Sequence, residues 1–249
     1  LVPDDDCMLR LALLEPLSDP AGAWKVSAPR HEIKFVGPAR EAPFAAATLG
    51  AVCPPDDEFP TNIVHTVYFD SPDLTSYQEK ANGDYLKAKL RLRWYARPGA
   101  GRLSGEAWTA WLELKLREGS RGFKRRKRLE LPGPSPLEGL DPERLGAIAL
   151  THLGSPRRPT CWLSYSRTRL RGPDGVTRLS IDRDLRVEWI ASWVRTRPRW
   201  AGPPVFVVEV KGPTGAVHPG LSSLIVRHAR KRAVSKYALC LDHARGGAS

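Results

Sequence analysis

Three times in this chain a glutamate stands two residues before a lysine inside a strand-like run: Glu32 and Lys34, Glu113 and Lys115, Glu209 and Lys211. Between the first two pairs lies Lys87, Lys89, Arg91, Arg93 at the same spacing. Successive side chains of a β-strand point to opposite faces, so residues two apart share a face and all of these charges fall on one. The other face of the same runs reads Ile33 and Phe35; Leu86, Leu90, Leu92 and Trp94; Leu112, Leu114 and Leu116; Val208 and Val210. That face must be buried. Two readings of the charged face remain: a solvated surface with cross-strand ion pairs, each worth little, or the lining of an enclosed channel whose apolar exterior is covered by helices.

The rest of the chain supplies the parts for the second reading. Strand-like runs lie at roughly 30–36, 63–69, 86–96, 107–117, 121–131, 161–170, 176–184 and 205–211, bounded by Gly, Pro, Asn or Asp. Connections as short as 118–120 and 172–175 imply antiparallel hairpins, since parallel neighbours need long crossovers. Helical patterns occupy 39–52, 74–81, 142–153 and 221–236, the last followed by an apolar end at 237–241. The expected fold is α+β: an eight-stranded antiparallel barrel tunnel with a charged lumen, flanked by helices. Residues 1–29 are read as a loosely ordered arm, 30–242 as the domain and 243–249 as a flexible tail.

An eight-stranded barrel has an interior just wide enough for side chains or one small ligand. Inward-facing charges would place Lys34, Lys89, Arg91, Arg93, Lys115, Arg167, Arg178 and Lys211 around Glu32, Glu113 and Glu209. Two like charges ~4 Å apart repel by about 4 kcal/mol at an effective dielectric near 20, so such a lumen calls for a polyvalent anion. The formal charge of +12, from 39 basic and 27 acidic residues, favours anionic partners at long range. The carboxylates among the cations suit a hard divalent cation, Mg²⁺ or Mn²⁺, which takes oxygen ligands and bridges protein to phosphate.

Other chemistries find less support. Cys7, Cys53, Cys161 and Cys240 are scattered without metal spacing and read as reduced thiols. The six histidines show no ligand spacing, and Trp94, Trp162 and Trp189 read as core or cover. No signal peptide or membrane span is evident, and a cytoplasmic location is expected. With no initiating Met, Leu1 is read as an internal position of a longer product. Arg227, Arg230, Lys231 and Arg232 are expected on a helix, as a solvated basic face that could guide polyanions to a tunnel mouth. Asp182 is either a metal ligand or the partner of Arg178, and Asp70 and Asp73 read as caps for the helix near Leu74.

Taken in order, the motifs resemble the vacuolar transporter chaperone (VTC) domain, a branch of the triphosphate tunnel metalloenzymes. They are RHEIK at 30–34, TVYFDSPD at 66–73, KLRLRWY at 89–95, LELK at 112–115, FKRR at 123–126, YSRT at 165–168, RLSID at 178–182, VEVK at 208–211 and SKY at 235–237. The resemblance implies an ATP-driven polyphosphate polymerase that passes the γ-phosphate to a chain in a basic tunnel. It implies Lys34, Arg91, Arg93, Lys115 and Lys236 as catalytic residues. Lys89, Lys124, Arg126, Tyr165, Arg167, Arg178, Lys211 and Ser235 would bind phosphate, although the run from Lys124 to Arg128 admits more than one register. Glu209, with Glu32 and Glu113, would hold Mn²⁺ or Mg²⁺. ATP and polyphosphate or tripolyphosphate are the implied partners, and nucleic acid is not.

The sequence departs from the triphosphatase and cyclase branch at Arg30, where that branch carries another glutamate. Hydrolysis is thereby less favoured. An inorganic triphosphatase or polyphosphatase of the same fold, and a non-catalytic polyphosphate-binding module, remain the alternatives.

Overall fold

A computed structural model describes residues 25–27, 31–83, 85–99, 108–118, 121–131, 153, 155–196 and 202–246. All eight expected strands form: β2 His31–Pro38, β3 Thr61–Asp70, β4 Leu86–Ala96, β5 Trp108–Glu118, β6 Arg121–Leu131, β7 Arg158–Arg171, β8 Arg178–Ile190 and β9 Val205–Gly212. Two short strands join them, β1 Lys25–Ser27 and β10 Arg230–Lys231. Pairing is antiparallel throughout, in the order β1-β6-β5-β4-β3-β7-β8-β9-β2-β10.

This corrects the closed eight-stranded barrel. Among the described residues the sheet has ten strands and no ladder joins its two ends. The outer edge of β6 is taken by β1 and that of β2 by β10, so these strands cap the edges instead of pairing with each other. β1 comes from the stretch read as an arm; residues 1–24 lie outside the described residues.

Helices cover part of the apolar face, as the alternation required, and another docks on the opposite, charged face, where Val64, Tyr68, Leu163 and Tyr165 share the side of Arg91 and Arg93. A 3₁₀ turn at Ala39–Glu41 leads into α1, Ala42–Gly50; the others among the described residues are α2 Thr75–Ala81, α3 Pro219–Ile225 and α4 Lys236–Ala244. α1 and α3 bury Ala45, Leu49, Leu221 and Ile225 against Phe35, Ile181, Val208 and Val210. α4 seats Tyr237, Cys240 and Leu241 beside Val64, Leu163 and Tyr165. Leu90, Leu92, Trp94 and Leu112 form a third cluster with Trp108. Fully burying one such leucine contributes about 1.5–3 kcal/mol. Trp94 is buried in this layer and Trp162 packs on it, while Trp189 packs on the α4 cluster, in keeping with their expected role. Cys53, Cys161 and Cys240 are free buried thiols.

The expected helix at 221–236 is broken. It ends at Ile225, and the following segment runs extended along the open edge of β2, where Arg232 N donates to Lys34 O at 3.0 Å. Unpaired N–H and C=O groups on an edge strand are a ready template for such pairing. The basic run is therefore an edge strand with its flanks, not a helix face. The helix expected at 142–153 lies, apart from Leu153, outside the described residues.

Asp70 pins these pieces together. Its carboxylate accepts from Ser71 N (2.9 Å), Ser76 N (2.8 Å) and Tyr77 N (3.1 Å), capping α2 as its position implied. It also accepts from Arg157 (3.1 Å) and from the Tyr237 hydroxyl (2.8 Å), which ties α4 to β3. The Asp73 carboxylate accepts from the Thr75 hydroxyl at 3.2 Å and its backbone carbonyl from Gln78 Nε2 at 2.7 Å.

Candidate functional site

Strand register builds the site in rungs. On β4, β5 and β6, Lys89, Lys115 and Lys124 stand abreast; the next rung is Arg91, Glu113 and Arg126. This settles the register of the basic run: Lys124 and Arg126, not Arg125, share the charged face. On the facing wall Glu32 lies beside Lys211, and Lys34 beside Glu209. Lys115 Nζ reaches Glu32 at 3.1 Å and Lys89 Nζ donates to the Ser235 hydroxyl at 3.0 Å. Side chains thus bridge the cavity where no backbone ladder closes it.

The cavity so enclosed has a volume of about 100 Å³, and ten cationic side chains line it against two carboxylates, Glu32 and Glu209. Those two carboxylates gather the cations. Glu32 meets Lys34 at 2.9 Å and Lys115 at 3.1 Å, with Lys211 at 3.8 Å. Glu209 takes Lys236 at 2.7 Å and Arg167 at 3.2 Å, with Lys211 at 3.7 Å and Lys34 at 3.9 Å. Burial alone would push both carboxyls up, but the surrounding lysines and Arg167 outweigh it and hold them well below the usual range.

Two carboxylates outside the lining complete the charge pattern. Asp182, fully buried, takes a bidentate grip from Arg167 (2.6 and 2.7 Å) and Lys236 at 2.5 Å. Its partner is Arg167, not Arg178. Burial opposes the charge on Lys236, yet Asp182 and Glu209 more than offset it and raise the ammonium's pKa. Glu113 shares the charged face but lies outside the lining, 2 % exposed, held by Arg91 (2.8 Å), Lys124 (3.2 Å) and Arg93 (3.6 Å). These cations overcome its burial and keep it ionised. Lys115 differs: burial, aided by Lys34, Arg91 and Lys211 and opposed by Glu32, brings its ammonium down to about 8.

Of the sixteen candidate residues, twelve line the cavity: Glu32, Lys34, Lys89, Arg91, Arg93, Lys115, Tyr165, Arg167, Glu209, Lys211, Ser235 and Lys236. Four do not. Glu113 and Lys124 pair outside it on the same face, Arg126 lies over the Trp111 ring at 4.5 Å, and Arg178 turns to Gly175 O at 2.8 Å. Tyr165 touches Arg93 through its hydroxyl at 3.3 Å.

Glu32 and Glu209 are the two carboxylates that face the cavity; a hard cation seated there would have to displace Lys34 (2.9 Å) and Lys115 (3.1 Å) from the first, and Lys236 (2.7 Å) and Arg167 (3.2 Å) from the second. Mg²⁺ is commonly held by one or two carboxylates plus substrate phosphate. No group of three or more His, Cys, Asp or Glu able to hold a metal occurs among the described residues. Glu113 does not fit, since it is 2 % exposed and lies outside the lining.

The sequence matches the VTC domain family over residues 29–132 and 147–244. The chain belongs to the VTC domain family. No curated protein sequence matches it significantly. Among solved structures, the PH1819 protein of Pyrococcus horikoshii OT3 is similar at 10% identity and a TM-score of 0.45, over 86% of this chain and 99% of that one. A candidate adenylate cyclase of Bacillus halodurans reaches 12% and 0.44, over 81% and 89%. Another from Vibrio parahaemolyticus reaches 11% and 0.39, over 80% and 84%. The family assignment rests on the sequence match.

In this VTC domain, sequence reasoning put Lys87 on the charged face but not among the site residues, and passed over Tyr68, Arg117 and the Val234 backbone; all four line the cavity. Lys87 and Arg117 extend alternations already visible, two residues from Lys89 and Lys115. Tyr68 sits in the TVYFD motif, opposite Arg91 in the register. Val234 O accepts from Lys34 Nζ at 3.1 Å, a contact that only the fold reveals. No helix among the described residues is long and apolar enough to cross a membrane.

Proposed function

We propose that this VTC domain is a metal-dependent polyphosphate polymerase, moving the γ-phosphate of ATP onto a growing polyphosphate chain held in the cavity. The observation that supports it is the charge imbalance of the lining, ten cations around two carboxylates. Without a ligand the cations converge on Glu32 and Glu209; a phosphate chain would replace those contacts with many more acceptors.

Phosphoryl transfer asks the protein mainly for alignment and for charge stabilisation of the transferring group. Arg91 and Arg93 on one wall and Lys34, Arg167 and Lys236 on the other would grip donor and acceptor phosphates from both sides. A terminal oxygen of the chain attacks the γ-phosphorus, the bond to the β–γ bridging oxygen breaks, and ADP leaves. Lys236, kept charged by Asp182 and Glu209, would stabilise the negative charge on the transferring oxygens. Glu32 and Glu209 would hold Mg²⁺ or Mn²⁺, which when bound neutralises phosphate charge. Lys89, Lys115, Lys211, Ser235 and Tyr165 complete the phosphate contacts.

Incubation with ATP and Mn²⁺, followed by sizing of the phosphate products, tests this. Long chains are expected from the wild type, with losses of about 10²-fold or more in Arg91→Ala and Glu209→Gln, the scale seen when one charge-stabilising group is removed. Orthophosphate without chains would mean that water is the acceptor and the domain a hydrolase. No consumption of ATP or tripolyphosphate would leave a binding module.

A further inference from the structure

The charged face does not stop at the cavity. β10 pairs with β2 so that Arg230 lies opposite Val36 and Lys231 opposite Phe35. The Arg232 N to Lys34 O bond continues that ladder by one residue. Arg230 and Arg232 therefore share the face of Val36 and Lys34, the face that lines the cavity, whereas Lys231 falls on the other. Both arginines are exposed, as are Arg227 and Lys231. Two residues beyond Arg232 the same backbone supplies Val234, Ser235 and Lys236 to the cavity wall. From Val226 to Leu241 there is no acidic residue. Across this stretch Glu41 is engaged by His228, at 3.0 Å.

From this continuity we propose that Arg230 and Arg232 form a second, external phosphate-binding strip at the open edge of the sheet, engaging the part of a polyphosphate chain that extends past Lys34 out of the cavity. The inference rests on the phosphate reading of the cavity and adds a chain-length dependence to it. A short ligand such as tripolyphosphate fills the cavity and does not reach the strip. A long chain touches both, so its second contact forms at high effective concentration and strengthens binding without any change inside. Charged residues on an edge strand also deter edge-to-edge aggregation, a role that depends on charge alone and is indifferent to the length of any ligand.

The test compares tripolyphosphate and long-chain polyphosphate as ligands of the full chain, by equilibrium binding across a salt series. The double variant Arg230→Gln/Arg232→Gln is expected to weaken long-chain binding about tenfold and leave tripolyphosphate binding within twofold of wild type. Its salt slope for the long chain should shrink by about 1.4, from ~0.7 per phosphate contact on a single-stranded polyanion. Arg230→Lys/Arg232→Lys should keep most of the long-chain affinity, which shows that the edge still folds. Equal loss for both ligands, or no loss for either, overturns the strip. Equal weakening toward single-stranded DNA or anionic phospholipid vesicles overturns it as well, since the patch would then be a general anion surface. A wild type that fails to bind tripolyphosphate removes the cavity's phosphate reading itself. Normal tripolyphosphate binding without a chain-length effect removes only the strip.

Discussion

Lys115 on β5 and Glu32 on β2 meet at 3.1 Å across the cavity, although five strands separate β5 from β2 in the sheet order. The sheet curls far enough for its two halves to face each other. An ion pair, supported by the Lys89 to Ser235 bond, does the work that a backbone ladder performs in a closed barrel.

Lys115 makes the cavity sensitive to mild alkali. Burial and the nearby cations bring its ammonium down to about 8, against the pull of Glu32. Tripolyphosphate affinity should fall several-fold as pH rises from about 7 to about 9, because the bound anion needs the charged form. The ligand-free protein should respond oppositely. Between about 8 and the ordinary lysine value of ~10.4 the unfolded chain binds more protons at this residue, so its contribution to stability rises with pH. Lys115→Arg, permanently charged, should flatten the binding profile near 8; a titration calorimetry series on both proteins checks it.

Asp182 carries the charge balance of the inner wall. Asp182→Asn leaves Arg167 and Lys236 buried with one carboxylate between them, and should cost about 3–5 kcal/mol of unfolding free energy. Added tripolyphosphate should recover part of that loss. The Asp182 carboxyl lies below its usual range because Arg167 and Lys236 overcome its burial. Its contribution is therefore complete above the unfolded value of ~3.9 and disappears as pH drops through the lower folded one. Urea denaturation with and without ligand, repeated under acid conditions, reads both effects.

Asp70→Asn should loosen α4 without entering the cavity. The substitution leaves Arg157, buried at 3 % side-chain exposure, without its carboxylate and weakens the cap of α2. A loss of about 3–5 kcal/mol is expected from breaking the buried pair. Hydrogen exchange should rise in residues 236–244 before it rises in β7, since the Tyr237 hydroxyl bond to Asp70 anchors that helix.

Gly37→Ala tests how the edge strip is held. A Cβ at this position would lie 2.2 Å from His228 O and 2.4 Å from the Phe206 ring, both inside contact distance. The backbone after α3 must then move away from β2. A destabilisation of about 1–3 kcal/mol is expected, the usual scale of overpacking. Protection of the Arg232 amide should drop at the same time.

Much of the fold was legible because period-two alternation is a local property. Eight strands, their antiparallel sense and the two faces follow from residues such as Lys89 to Arg93 and Leu90 to Trp94 read along the chain. The capping role of Asp70 was legible for the same reason. The 221–236 segment was misread because its basic residues carry no strand signal of their own; pairing with the free edge of β2 decides their conformation. Arg178 shares the face and the motif, yet its guanidinium turns to Gly175 O at the end of β8.

Which side of the sheet each charge occupies was settled by spacing, since covalent geometry alternates side chains whatever surrounds them. Which carboxylate each cation meets was not. Arg167 with Asp182, Lys236 with Glu209 and Lys115 with Glu32 are separated by 15, 27 and 83 residues. Only the curl of the sheet and the docking of α4 bring them within bonding distance. The open edge beyond β2 is likewise a consequence of that curl, because closure depends on where distant strands end up in space.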